Sequence, residues 1–80
     1  MYNYMISKIR EFQFNDAENK NYKYALWMCE EIERMDDSLK AARWIGYVNR
    51  IVEELGFWDN NTTRDYIRED VRNGSQYPLP

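Results

Sequence analysis

Eighty residues suffice for one domain and no more, and a chain of this size buries only about 60–65% of the surface its unfolded form exposes. There is no histidine and a single cysteine, Cys29, which excludes an intrachain disulfide, a zinc knuckle and every arrangement built on an imidazole base. A net charge of −3 and a pI near 4.9 speak against a general nucleic-acid binder, which carries a basic footprint.

The first predicted element is a short amphipathic helix over 2–12, where Met5, Ile9 and Phe12 recur at spacings of four and three. The polar run "FNDAEN" follows, with Asn15 or Asp16 placed to cap a second helix. That helix, over 17–36, carries Tyr22, Ala25, Cys29, Ile32 and Met35 on one face, widened by Leu26 and Met28. Glu30 and Arg34 stand four apart in the favourable order for an ion pair. "DDS" then breaks the pattern, and Asp37 or Ser38 can accept the orphan amides of a third helix.

The third helix, over 39–55, has the clearest stripe: Ala41, Trp44, Val48, Ile51 and Leu55, broadened by Ile45 and Val52. Gly56 falls where a left-handed C′ residue belongs, with Phe57 able to fold back over Val52. After "FWDNN", Thr62 or Thr63 is expected to cap a last helix over 63–72, with Tyr66, Ile67 and Val71 pointing inward. Gly74 stops it, and the prolines of "YPLP" forbid more helix. The expected architecture is all-α: a small helical bundle over 1–74, built on a central antiparallel helical hairpin with short flanking helices. An extended, Pro-containing tail covers 75–80.

The stabilising mass is aromatic. Phe, Trp and Tyr make up 16% of the chain, and each buried ring removes on the order of 150–250 Å² from water. Self-association is the other way so small a chain gains core. No run approaches the roughly 20 apolar residues of a membrane span, and "MYNYMISKIREF" lacks the apolar stretch of a secretory leader. The expectation is a soluble, cytoplasmic protein with Cys29 reduced, on the apolar stripe, and raised in pKa by burial.

Enzyme chemistry has little to stand on. The three glycines, at 46, 56 and 74, form no phosphate loop. The pairs Glu30–Glu31, Asp36–Asp37 and Glu53–Glu54 are sequence neighbours, and neighbours on a helix point about 100° apart. Capping and solubility account for them. No cofactor and no metal site is expected.

Three surfaces could bind. Arg64, Arg68 and Arg72 fall at i, i+4 and i+8 along one side of the last helix. The plainer reading is a solvated ladder, offset by Asp65 and Glu69 three residues before Arg68 and Arg72. The sharper one is a fork-shaped donor array for carboxylates or phosphates. Arg43, Tyr47 and Arg50 lie beside the apolar stripe of the third helix, and with Trp58 they have the composition of an interface hot spot. The alternative is side-chain stems packed over the core edge. A mid-helix Gly46 costs about 1 kcal/mol relative to alanine, which a backbone or ring approaching closely would explain. Finally, residues 11–37 carry three basic against eight acidic side chains, a net −5. This reads as a solvated face, open to contact with a basic protein surface.

At "RWIGYV", residues 43–48, the chain resembles short proteins encoded in bacteriophage genomes. In that group an Arg–Trp–(Leu or Ile)–Gly–(Phe or Tyr) run opens a helix. A Gly turn follows, then a helix beginning with Thr and carrying two arginines four apart. Here these are Arg43, Trp44, Ile45, Gly46 and Tyr47, then Gly56, Thr63, Arg68 and Arg72, within residues 40–73. The match departs at Asn49, where a Gln–Gly pair is usual, and in the longer "FWDNN" loop. The resemblance implies a phage-encoded accessory protein of bacterial host cytoplasm that inhibits host machinery or antiviral defence.

Composition and resemblance together lead to a non-enzymatic protein that binds a host or defence protein through Arg43, Tyr47, Arg50 and Trp58. The alternative is a homo-oligomer that sequesters a small anionic nucleotide at Arg64, Arg68 and Arg72, with tyrosines stacking on bases. A helix-turn-helix reader of nucleic acid is the weakest reading, because Asp65, Glu69 and Asp70 would face phosphates beside those arginines.

Overall fold

A computed structural model describes residues 1–75, which form four α-helices and, among those residues, no strand. α1 spans Asn3–Glu11, α2 Lys20–Arg34, α3 Ser38–Glu54 and α4 Asn60–Arg72. α2 and α3 form the expected hairpin across residues 35–37, and α1 packs on α4 and on α2. The result is a small all-α bundle. No helix among the described residues is long and apolar enough to cross a membrane.

The helix starts show which side chains compete best for orphan amides. Asp37 caps α3 as expected, its carboxylate accepting the Leu39 and Lys40 N–H groups at 3.0 and 3.1 Å. α2 begins later than expected and is capped by Asn19, which accepts from Asn21 and Tyr22, not by Asn15 or Asp16. Residues 12–19 are drawn aside because Phe14 folds in against Phe57 and Tyr22. α4 begins earlier, capped by Asp59 through the Thr62 N–H at 2.9 Å, not by Thr62 or Thr63. That bond to the Thr62 amide holds the Asp59 carboxyl below its usual range. Thr63 turns inward instead: its hydroxyl donates to Glu53 at 2.6 Å and accepts the Trp58 indole N–H at 3.1 Å.

Gly56 stops α3 as expected. At φ +85° it lets the Gly56 N–H reach Glu53 O and the Phe57 N–H reach Val52 O, both at 3.0 Å. This paired 5→2 and 6→1 closure aims the next side chain back at the helix. Phe57 is thereby buried and becomes the hub of an aromatic cluster: it stacks on Phe12 at 4.1 Å and meets Phe14, Tyr22 and Trp58.

The other end of the molecule is closed by a bond pattern that periodicity does not reveal. α1 has no capping side chain of its own; Tyr2 precedes it at φ +58°, a left-handed conformation that costs a non-glycine residue about 1–2 kcal/mol. Asp70, from the last turn of α4, supplies the cap. Its two carboxylate oxygens accept the Tyr4 and Met5 N–H groups, each at 2.9 Å. The Tyr2 N–H donates to the Ser75 hydroxyl, also at 2.9 Å. Ser75 is held there by a second closure of the Gly56 kind, at Gly74 (φ +98°), with Ser75 N–H on Asp70 O. Of the tail expected over 75–80, Ser75 alone is among the described residues; the rest lies outside them.

Asp70 also explains a displaced residue. Thr63, Ile67 and Asp70 occupy the inward face of α4, so Val71 is half exposed and not in the core as expected. Burial of the Asp70 carboxyl raises its pKa, against the lowering effect of the Met5 and Tyr4 amides. The core otherwise follows the stripes: Met5, Ile9, Ala25, Cys29, Ile32, Ala41, Ile45, Val48 and Val52 are fully buried. The Cys29 thiol is pushed up to about 12, chiefly by that burial. Arg34 pairs with Glu31 at 3.6 Å, not with Glu30. A two-pronged bridge not foreseen, Arg10 to Glu33 at 2.6 and 3.0 Å, ties α1 to α2.

Candidate functional site

The inward stripe of α3 determines what faces out. With Ala41, Ala42, Ile45, Val48 and Val52 in the core, a 100° step per residue puts Arg43, Tyr47 and Arg50 together on the opposite side. All three are exposed, Tyr47 at 57%. Trp44 sits at the seam with α2, half-buried. Across that seam α2 presents Tyr24 and Trp27, both nearly half exposed. Their rings stack at 5.7 Å, and Trp27 meets Trp44 at 5.8 Å. Lys40, one turn before Trp44, places its ammonium 5.7 Å from the centre of that indole.

These side chains surround a cleft of about 340 Å³, lined by Tyr24, Met28, Lys40, Arg43, Trp44 and Tyr47. Its electrostatics are unusual for an acidic chain: two cations line it and no carboxylate does. Lys8, Arg10, Lys23, Arg34, Arg68 and Arg72 each stand within 4 Å of a carboxylate. Lys40, Arg43 and Arg50, the three cations of α3, have no such partner among the described residues.

Gly46 lies on the same helix, three residues after Arg43 and four before Arg50. Among the described residues, and apart from its own stretch of helix, nothing stands within 4 Å of where its side chain would begin. No described residue makes the close approach that would explain Gly46, and the space beside it is open.

Trp58 does not join this face. From Arg43 to Leu55, α3 advances about 18 Å at 1.5 Å per residue, and Trp58 lies beyond. Its indole N–H is bonded to Thr63, and its ring packs edge-on to Phe12, Phe57 and Tyr66. Periodicity ended at Gly56, so sequence distance was the wrong guide there. Tyr24, Trp27 and Lys40 were missed. The available signal was that Tyr24 and Trp27, three apart, fall off the apolar stripe of α2.

The arginine stripe of α4 is present and internally offset. Arg68 reaches Asp65 at 3.4 Å and Arg72 reaches Glu69 at 3.1 Å, and Arg64 is exposed. A shallow concavity of about 330 Å³ beside it is lined by Tyr4, Asp65, Tyr66, Arg68, Glu69 and Arg72, so each lining cation already has its anion. Asp70, expected among the exposed acids of this helix, is buried under α1.

Comparison with known proteins returned no matching family model, no matching curated protein and no matching solved structure.

Proposed function

We propose that the chain is a non-enzymatic binding protein of the phage accessory type, which inhibits or modulates a host or antiviral-defence protein. Docking occurs through the outer face of the α2–α3 hairpin. One observation carries the reading: exposed Tyr24, Trp27 and Tyr47 share this face with Lys40, Arg43 and Arg50, which no carboxylate among the described residues engages. Aromatic rings and arginines are the residue types whose truncation costs most at interfaces, and they act best where water is excluded around them. Gly46 adds a second support, because its open side lets a partner approach the helix backbone.

Pull-down from bacterial lysate tests the proposal. A partner retained by the wild type is expected to be lost with Tyr47→Ala plus Arg50→Ala and kept with Arg64→Ala. A partner retained equally by all three proteins would remove this face from the account.

A second reading, sequestration of a small anionic nucleotide by an oligomer, is favoured by one observation. The hairpin cleft combines ring faces with cations and has no competing carboxylate. Mass measurement in solution separates the two readings, since a monomer suits docking and a closed ring of subunits suits sequestration.

A further inference from the structure

We infer that the hairpin cleft is a binding site for a planar ring carrying a phosphate, of the size of a nucleoside 5′-monophosphate. The ring lies against Tyr47 and Tyr24, and the phosphate lies between Lys40 and Arg43. The inference rests on the sequestration reading and moves its ligand from the arginine stripe of α4 to the hairpin.

Three features of the cleft lead there. Its volume of about 340 Å³ falls at the small end of ligand pockets, which run from roughly 300 to 1,000 Å³. A mononucleotide-sized molecule fits that scale, whereas a bulky peptide segment does not. Its walls come from both arms of the hairpin, Tyr24 from α2 and Tyr47 from α3, each about half exposed. A flat ring can thus replace water on their faces without disturbing the core.

The charge is also placed for the purpose. Lys40 and Arg43 are three residues apart on α3 and so project from one side, and the Lys40 ammonium stands over the Trp44 indole. Cation and π-face are therefore adjacent, as a ring-plus-phosphate ligand requires. At the α4 stripe the same ligand would have to displace Asp65 from Arg68 and Glu69 from Arg72. At the hairpin no lining carboxylate has to be displaced.

The test is calorimetric titration of the full chain with three probes: adenosine 5′-monophosphate, adenosine and inorganic phosphate. The monophosphate is expected to bind more tightly than either fragment. Lys40→Ala with Arg43→Ala should weaken it about 100- to 10,000-fold, the loss of two charge-assisted bonds. Tyr47→Ala should weaken it about tenfold through lost stacking, while Lys40→Arg retains binding. Arg68→Ala with Arg72→Ala should leave it unchanged. All these side chains are exposed, and far-UV circular dichroism checks that each variant folds. Absence of monophosphate binding to the wild type overturns both the cleft and the sequestration reading. Binding lost in the Arg68 and Arg72 variant but kept in the Lys40 and Arg43 variant overturns the cleft alone. Phosphate binding as tightly as the monophosphate overturns the role of the rings.

Discussion

Replacing Asp70 tests whether α1 is held by a carboxylate from the far end of the chain. Asp70→Ala removes both acceptors, leaving the part-buried Tyr4 N–H and the buried Met5 N–H without that partner. Loss of an exposed cap costs about 0.5–2 kcal/mol, and leaving the donors unsatisfied in a buried setting raises that to roughly 1–3 for each. Partial relief comes from no longer desolvating a carboxylate, which is what raises the Asp70 pKa. A net loss of about 2–4 kcal/mol is expected. That is a large part of the roughly 4–12 kcal/mol available to a domain of this length. Asp70→Asn keeps the shape and one acceptor, but turns an NH₂ group toward the other amide, so about 1–2 kcal/mol is expected. Urea unfolding followed by circular dichroism reads both, and a loss under about 0.5 kcal/mol for Asp70→Ala would refute the clamp. The pH dependence carries its own sign. Because the folded pKa is raised, ionisation of Asp70 is harder in the folded state. Its stabilising share is then complete below the ordinary value of 3.8 and falls as pH rises through the folded value. Wild type should therefore lose stability relative to Asp70→Asn over that window and run parallel above it. A relative gain on raising pH would mean that the two amide bonds outweigh burial.

Glu33 behaves oppositely: its bridge to Arg10 lowers its pKa, so its contribution is present above the ordinary value of 4.5 and lost as pH falls through the folded one. The pair is more than a third exposed, so Glu33→Gln should cost under about 1 kcal/mol at neutral pH and nothing in strong acid, read by urea titration at both pH values. Gly56→Ala forces a side chain to φ +85° and should cost about 1–2 kcal/mol, whereas Gly46→Ala meets open space and should add up to about 1 kcal/mol. Thermal melts compare the two, and a lowered Tm for Gly46→Ala would contradict the open geometry. Cys29, buried and pushed up to about 12, should react with iodoacetamide only as fast as the chain unfolds; rapid labelling of the native protein would refute its burial.

What the sequence disclosed follows its local signals. Apolar spacing located all four helices because each face meets the same core, and Asp37 and Gly56 marked their boundaries because capping chemistry acts within a few residues. The errors share a cause, which is side-chain contact that no apolar spacing marks. Asp70 reads as one of several surface acids of α4 until the Tyr4 and Met5 amides, 66 and 65 residues away, are seen to converge on it. Thr63 has the residue type of a cap, yet Glu53 and the Trp58 indole claim its hydroxyl, and Asp59 caps in its place. At the candidate site, Arg43, Tyr47 and Arg50 were legible because one helix carries them. Tyr24 and Trp27 belong to another helix, and only the pairing of α2 with α3 brings them alongside.

Two sets of rings in this small chain do different work. Phe12, Phe14, Tyr22, Phe57 and Trp58 pack on one another and close the loops at one end of the bundle. Tyr24, Trp27 and Tyr47 remain about half in water, on the side of the hairpin away from the core. A domain with a thin stability margin gains by burying aromatic surface and risks aggregation by exposing it in a patch. Moreover, the exposed rings surround cations without carboxylate partners among the described residues, although the chain carries an excess of acid. These rings bury less of their surface in the fold than Phe57 does. Truncating Tyr24, Trp27 or Tyr47 should therefore change stability far less than truncating Phe57, so that any loss of binding in such variants can be assigned to the surface and not to unfolding.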